Sequence, residues 1–373
     1  MAWEWYHPVK VYFGENFFYK LKDLSLDKPV AVITGKKNVK ERGIVGRLEE
    51  LIGNDFTLLD FVEGEPTWEV IEKLRDRLSE EGVKTVISIG GGSVLDSAKL
   101  AALLVTNKGV KIREIIGVRD FKFENSPLRV IAVPTTSGSG SEVTPYSIVI
   151  DRENLKKASI GSLYLYPFIA IDDPTLTYDT PFEITRNSGI DAFCHSLEVF
   201  FMKEIHPIAS NFALNGILLF IKFFMNALNN DRIARAKMML SSLYGGYAIS
   251  NVGAGLIHQF AHALGVLRGY PHGFAIAIYV VPVLSWYAGY KEGLERIKLL
   301  EDNLGIKGLI MYLRKLFGDI GIPDVGKIGL GEKEIELMVS IVERRKTYFD
   351  KFVVTPKRDD LYRIALGGFE ASL

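Results

Sequence analysis

The chain has 373 residues, about two to three typical domains, with 45 Lys and Arg balanced by 45 Asp and Glu. Its 48% apolar and 24% charged residues are ordinary globular composition and exclude a disordered chain. The zero formal net charge argues against a nucleic-acid partner, which demands an excess of Lys and Arg, and the single cysteine, Cys194, excludes a disulfide framework or a cysteine-rich metal site.

The amino terminus, MAWEWYHPVKVYFGEN, carries no basic stretch followed by a small-residue cleavage site, so no signal peptide is expected. Val30–Thr34 (VAVIT), Phe56–Val62 (FTLLDFV), Thr85–Gly90 (TVISIG), Leu128–Val133 (LRVIAV) and Phe168–Ile171 (FIAI) read as strands. Between the second and third, Val70, Ile71, Leu74 and Leu78 recur at helical spacing and predict a helix over Trp68–Glu81. Strands alternating with helices imply a parallel sheet covered on both faces. Asp172–Pro181 (DDPTLTYDTP) is rich in turn formers and marks a boundary. Beyond it, the spacing predicts helices at Glu183–Phe201, Ala209–Leu228, Ile233–Ser250 and Leu256–Leu267. The expected organisation is an α/β domain over residues 1–177, built on a parallel sheet, followed by an all-α domain over residues 178–373. The apolar runs Ile217–Met225 and Phe274–Trp286 are broken by Lys222 and Pro282 and fall short of the roughly 20 apolar residues of a membrane span. A soluble, cytoplasmic protein with no membrane partner is expected. The sole glutamine, Gln259, amid plentiful Lys, Glu and Arg, points to a thermophilic source.

Two polar segments follow strands. At Gly90-Gly91-Gly92-Ser93 a strand runs straight into a helix. Glycines allow close backbone approach, and the free N–H groups of a helix start favour a diphosphate; the plain alternative is a tight turn without ligand. Ser93 is placed to cap that helix or donate to a phosphate, and Asp96 sits one turn in, either complementing the dipole or facing the ligand. Pro134–Glu142 (PTTSGSGSE) carries five hydroxyl side chains after the next strand, where open α/β sheets bind ligands. After the first strand, Gly35-Lys36-Lys37-Asn38 offers two lysines and no acid before Glu41. That chemistry suits the 2′-phosphate of NADP better than the 2′-hydroxyl of NAD.

Four of the six histidines, His195, His258, His262 and His272, fall between residues 195 and 272. Asp191 and His195 are four apart on a predicted helix, as are His258 and His262, so each pair shares a face. His272 follows in a turn marked by Pro271 and Gly273. One carboxylate with several imidazoles suits a borderline divalent ion such as iron(II), zinc or nickel, whereas any one of these histidines taken alone reads as a hydrogen-bonded core residue. His7 and His206 stand in isolated His-Pro contexts and are set aside. His258–His262 superficially resembles the zincin H-E-x-x-H helix, but position 259 is Gln, so metallopeptidase chemistry is disfavoured. Cys194 is read as a packed thiol, since His195 takes the ligand-facing register.

Taken together, GGGSVLDSAK (Gly90–Lys99), PTTSGSGSE, GIDAFCHSLE (Gly189–Glu198), HQFAHALG (His258–Gly265) and PHG (Pro271–Gly273) resemble the iron-containing, group III alcohol dehydrogenases in order and spacing over essentially the whole chain. The resemblance implies a dinucleotide-binding amino-terminal domain, a helical metal-binding domain and an active site between them. By that resemblance Asp191, His195, His258 and His272 are the metal ligands, with iron(II), or zinc or nickel, as the ion. His262 is the nearby non-ligand histidine, and Asp96 lies near the nicotinamide. Gly35, Lys36, Asn38, Gly90, Gly91, Gly92, Ser93, Thr135, Thr136, Ser139, Thr144, Lys157, Leu176 and Thr177 match cofactor contacts. NADP-using members resemble this chain at Gly35–Asn38. Two departures stand out. Glu65-Pro66-Thr67 replaces the usual Asn-Pro-Thr, which puts an adenine-side contact in doubt. Ile276 replaces a usual Asn after His272, which implies a more apolar substrate pocket.

The implied reaction is hydride transfer between a small alcohol, or its carbonyl, and NADP(H). The metal polarises the substrate oxygen and His262 passes a proton. A glycerol or polyol dehydrogenase, or a dehydroquinate-synthase-like enzyme, is the alternative on the same scaffold. A metal-dependent hydrolase and a non-catalytic nucleotide-binding protein are the readings from other classes. A homodimer is expected, because closed two-fold assemblies are the commonest.

Overall fold

The computed structural model describes residues 3–36 and 43–368. Eight strands form in chain order: β1 (Lys10–Phe13), β2 (Val30–Thr34), β3 (Phe56–Leu59), β4 (Thr85–Gly90), β5 (Arg129–Pro134), β6 (Tyr146–Asp151), β7 (Lys156–Gly161) and β8 (Ile169–Asp172). Six of them make one sheet in the order β1-β8-β5-β4-β2-β3, with every pairing parallel. β2 and β4 are buried along their whole length, and their apolar side chains serve the layers on both faces. From β2 the chain moves outward to β3 at one edge, whereas β4, β5 and β8 advance to the other side. The order therefore reverses between β2 and β4, and ligands of open α/β sheets bind outside the carboxyl ends of strands at such a reversal. The glycine turn at Gly90–Ser93 is the carboxyl end of β4.

Among the described residues three helices flank the sheet: α1 (Ile44–Ile52), α2 (Trp68–Glu80) and α3 (Gly92–Thr106). Thr67 caps α2 by accepting from the Val70 N–H. α3 is buried from Val94 to Leu104. It is covered by the antiparallel β6–β7 hairpin, whose Val149, Ala158 and Ile160 join the cluster formed with α2. Lys99 of α3 is buried and donates to the backbone carbonyls of Ser141, Thr144 and Tyr146, which ties the hydroxyl-rich loop to the helix. A buried ammonium without such acceptors is strongly disfavoured.

All five predicted strands form, each within three residues of its expected bounds. Phe56–Val62 is shorter than expected, because Phe61 leaves the ladder and keeps only an isolated bridge to Gly35. β1 and the β6–β7 hairpin had not been anticipated.

After a short α4 (Ile112–Ile115), the remaining helices lie beyond β8: α5 (Phe182–Val199), α6 (Pro207–Leu228), α7 (Arg232–Val252), α8 (Leu256–Arg268), α9 (His272–Ala288), α10 (Lys291–Leu304), α11 (Leu309–Asp319), α12 (Glu332–Glu343) and α13 (Arg358–Leu366). They enclose a core that includes Ile190, Phe193, Leu197, Phe220, Phe224, Phe260 and Trp286. The expected boundary after Thr177 falls at the end of a 3-10 turn, Pro174–Thr177. Arg235 of α7 reaches back across it and donates to the carbonyls of Thr177 and Thr180. α6 differs from the sequence expectation. Counted as one 22-residue helix, it is long and apolar enough to cross a membrane by length and composition. In this structure it buries Ala209, Ala213, Ile217, Phe220 and Phe224 in the helical core.

Candidate metal and cofactor site

Asp191 and His195 lie one turn apart on α5, and His258 and His262 one turn apart on α8. His272 was expected in a turn; it is instead the first residue of α9, directly after Pro271. Pro271 fixes the chain direction at that helix start. Asp191, His195 and His258 each bring one ligand atom within 4.8 Å of the others. The Nε2 atoms of His195 and His258 lie 3.5 Å from Asp191 Oδ1, and that of His272 lies 3.8 Å from it. Ligand atoms about 2.1 Å from one tetrahedral ion sit about 3.4 Å apart, so the spacing fits a shared cation.

The chemistry of the set fits as well. Asp191 Oδ1 and His258 Nε2 are buried without a hydrogen-bond partner among the described residues, and buried polar atoms of this kind demand one. Burial alone raises the Asp191 carboxyl, but the facing imidazoles of His195, His272 and His258 outweigh it and hold the group well below the usual carboxylate range. Burial lowers His195 and His272, which favours the neutral imidazole in each. Neutral imidazole beside carboxylate is the state in which such side chains bind a metal. Burial pushes the Cys194 thiol up to about 12, which keeps it protonated, as befits a packed thiol.

Glu198 was not singled out from the sequence, although it lies on the same face of α5 as Asp191 and His195. Its buried carboxylate accepts from the N–H groups of Gly255 (2.6 Å), Ile257 (2.5 Å) and His258 (3.2 Å). These are orphan donors of the first turn of α8, whose N-cap, Gly255, has no side chain to satisfy them. The same carboxylate accepts from His258 Nδ1 at 2.5 Å. That bond places a ring proton on Nδ1 and turns Nε2 toward Asp191, the carboxylate–histidine support typical of metal ligands; burial lowers His258, but the Glu198 and Asp191 carboxylates outweigh it and raise the group well above its ordinary value.

A cavity of about 370 Å³ joins this cluster to the glycine turn. Gly91, Gly92, Ser93, Asp96, Thr136, Ser139, Thr144 and Lys157 line it together with Asp191, His195, His258, His262 and His272. A Cβ at Gly92 would lie 2.7 Å from that of Ser139, so only glycine fits there. Ser93 does not cap α3; the N-cap is Gly91, and no side chain closes the first turn. Asp96 accepts from Ser141 Oγ (2.5 Å) and the Ile148 N–H (2.8 Å), and pairs with Lys99 at 3.3 Å. Lys157 is buried and pairs with Glu65, so the departure at Glu65 supplies a counter-charge. His262 is buried with neither ring nitrogen partnered among the described residues, its ring 5.2 Å from that of His272, and burial holds it well below its ordinary pKa.

The structure does not bring every expected residue to this cavity. Gly90 and Thr135 lie behind it at the ends of β4 and β5. Leu176 and Thr177 are buried in the 3-10 turn, where Thr177 Oγ1 donates to the Pro174 carbonyl. Gly35 follows β2, and Lys36 is exposed, facing Glu63 at 3.6 Å. Lys37 and Asn38 lie outside the described residues. Ile276 is buried in the helical core rather than the cavity, so its replacement of a polar residue bears on packing. Arg119, Tyr146, Gln259 and Arg345 also line the cavity and were not expected. Only Gln259, beside His258, carried a positional signal.

Comparison with known proteins places these features. Residues 8–174 match the family described as iron-containing alcohol dehydrogenase, and residues 185–364 match the carboxy-terminal domain of the Fe-containing alcohol dehydrogenase family. The chain is 26% identical over 352 residues to the NADPH-dependent butanol dehydrogenase of Clostridium saccharobutylicum, covering 91% of this chain and 90% of that protein. It superposes on an iron-containing alcohol dehydrogenase of Thermotoga maritima with a TM-score of 0.87 at 27% identity, covering 98% of this chain and all of that one. It also shares the fold of the NADH-dependent butanol dehydrogenase A of Thermotoga maritima, with a TM-score of 0.84 at 20% identity over 99% of both chains.

Proposed function

The chain belongs to the iron-containing alcohol dehydrogenase family, and we propose that it is an NADP(H)-linked enzyme that interconverts a small primary or secondary alcohol and its carbonyl, chiefly as a carbonyl reductase. The observation that carries this reading is the convergence of Asp191, His195, His258 and His272 on a cavity that also contains the glycine turn. Those four residues would hold a divalent ion, iron(II) by family, with zinc or nickel as substitutes. Bound together, the ion supplies Lewis acidity to the substrate oxygen and the nicotinamide cofactor carries the hydride.

The protein's own groups do the rest. The uncapped first turn of α3 binds a diphosphate through its N–H groups. Asp96, fixed by Ser141, Ile148 and Lys99, borders the nicotinamide pocket. His262, neutral and unpartnered, passes a proton between the substrate oxygen and solvent. Preference for NADP is supported by Lys36, by the lack of an acid in residues 35–38, and by the NADPH dependence of the Clostridium relative. The fold also serves an NADH-dependent butanol dehydrogenase, so cofactor choice rests on this local chemistry. A cytoplasmic homodimer completes the proposal. The matched relatives are alcohol dehydrogenases, so the polyol dehydrogenase or dehydroquinate-synthase alternative is not favoured.

The test is an anaerobic assay at about 340 nm, where the reduced nicotinamide absorbs, after reconstitution with iron(II), zinc or nickel. It crosses both cofactors with a panel of alcohols and carbonyls. Turnover with higher kcat/KM for NADP(H) is expected. A higher value for NAD(H) overturns the cofactor assignment, and no turnover with metal loaded overturns the dehydrogenase reading.

A further inference from the structure

Most charges around the cavity are paired within the protein. Lys157 meets Glu65, Asp96 meets Lys99, and Asp191 faces the imidazoles. Two are not. Among the described residues neither Arg119 nor Arg345 pairs with a carboxylate, although both line the cavity. Arg345 Nη1 donates to Gln259 Oε1 at 3.1 Å, one residue along α8 from His258. Arg119 lies with its guanidinium 4.5 Å from the Tyr348 ring centroid and 5.2 Å from that of Tyr146. Beneath it is Gly253, where a Cβ would lie 2.5 Å from Arg119 Nη1, so the guanidinium is held against bare backbone.

The two cations line one cavity and repel one another. Burial, with Arg119 beside it, pushes Arg345 down to about 10. Lys156 is lowered by burial and by Arg345, with Asp151 opposing and Arg344 adding to the shift. The nearby acid on β6, Asp151, is already held bidentately by Arg113. Close, partly desolvated cations without a counter-ion are disfavoured unless a ligand brings the anion. The planar fork of arginine matches a carboxylate with two parallel N–H···O bonds.

We propose that Arg119 and Arg345 form a carboxylate-recognising wall of the substrate cavity, so that the preferred aldehyde or alcohol carries a carboxylate remote from the reacting carbon. This rests on the dehydrogenase reading above. The glycine turn packs on Thr136 and Ser139, whereas the arginines pack on Tyr146, Tyr348 and Gln259, so the cofactor diphosphate and this wall occupy different parts of the cavity.

The experiment compares malonic, succinic and glutaric semialdehydes with the unbranched neutral aldehydes of equal carbon count, using metal-loaded wild type, Arg119→Gln, Arg345→Gln and Arg345→Lys. For at least one length the wild type should favour the carboxylate in kcat/KM by roughly tenfold or more, and each Gln variant should lose roughly 10- to 100-fold for that substrate, mainly in KM. Activity on the neutral partner and the cofactor KM should hold, which also reports correct folding, and Arg345→Lys should retain part of the preference. Succinate should compete with the aldehyde in the wild type and not in the Gln variants. No carboxylate preference in the wild type, equal losses on both substrates, or a change confined to the cofactor KM overturns the assignment. If the loaded wild type reduces none of these aldehydes, the dehydrogenase reading itself fails.

Discussion

Glu198→Gln keeps the shape of the side chain and removes its charge, and the hydrogen-bond geometry around it sets the consequence. Each carboxylate oxygen accepts from two donors. Oε2 takes the Gly255 N–H at 2.6 Å and His258 Nδ1 at 2.5 Å, while Oε1 takes the Ile257 and His258 N–H groups at 2.5 and 3.2 Å. An amide has one acceptor oxygen, so its NH2 group must point at two donors in either orientation. If it occupies the Oε2 position, His258 restores a bond only by moving its proton from Nδ1 to Nε2. Nε2 is the atom 3.5 Å from Asp191 Oδ1, and protonating it removes a ligand lone pair. Losing two bonds to a charged group, at about 1.5–3 kcal/mol each, costs the metal-free fold about 3–6 kcal/mol. Loss of the support behind a ligating histidine costs roughly 10- to 100-fold in metal affinity. Two measurements separate the effects: thermal melting of the metal-free protein, and chelator competition for zinc followed under conditions where both proteins are folded. A Glu198→Gln protein that is folded and binds zinc as tightly as the wild type refutes the reasoning.

His262→Ala should lower kcat roughly 100-fold and change the pH–rate profile while metal content stays full; an unchanged profile takes His262 out of the proton path. Asp172→Asn should stabilise the fold above neutral pH, because both Asp172 carboxylate oxygens are buried without a partner among the described residues, and burial with the charge of Glu142 holds the group well above its ordinary value. A carboxyl with a raised folded-state pKa contributes stability that is complete in acid and lost as pH rises through that pKa. Burial likewise raises Glu142 from 4.5 to about 7, so the two facing carboxyls together lose stability as pH rises toward about 8. Melting curves across pH check this: the Asn variant should lose less stability on going from about pH 5 to about pH 8, and curves parallel to the wild type would refute it.

The parts of the fold that a one-dimensional pattern reveals are those whose partners are uniform. β2 and β4 were legible to the residue because both their faces meet apolar layers, so VAVIT and TVISIG need no further context. β1 was not, because Lys10–Phe13 sits at a half-exposed sheet edge and pairs with β8, far along the chain. The hairpin was hidden by the adjacent Lys156 and Lys157, which break its apolar pattern, although Lys157 ends up buried at the cavity and matched by Glu65.

The same division runs through the site. Asp191, His195, His258 and His262 announce themselves because side chains on one helix face repeat every four residues. Glu198 shares that face, but its work is to complete the first turn of a different helix 57 residues away, and no local spacing encodes that. Arg119 and Arg345 come from separate loops and acquire meaning only when folding places them together without an acid between them. Local periodicity therefore reports where the chain gathers its candidate metal-binding side chains. The groups that hold a ligand's proton in place, or choose the far end of a substrate, are defined by which charges the tertiary structure leaves unanswered.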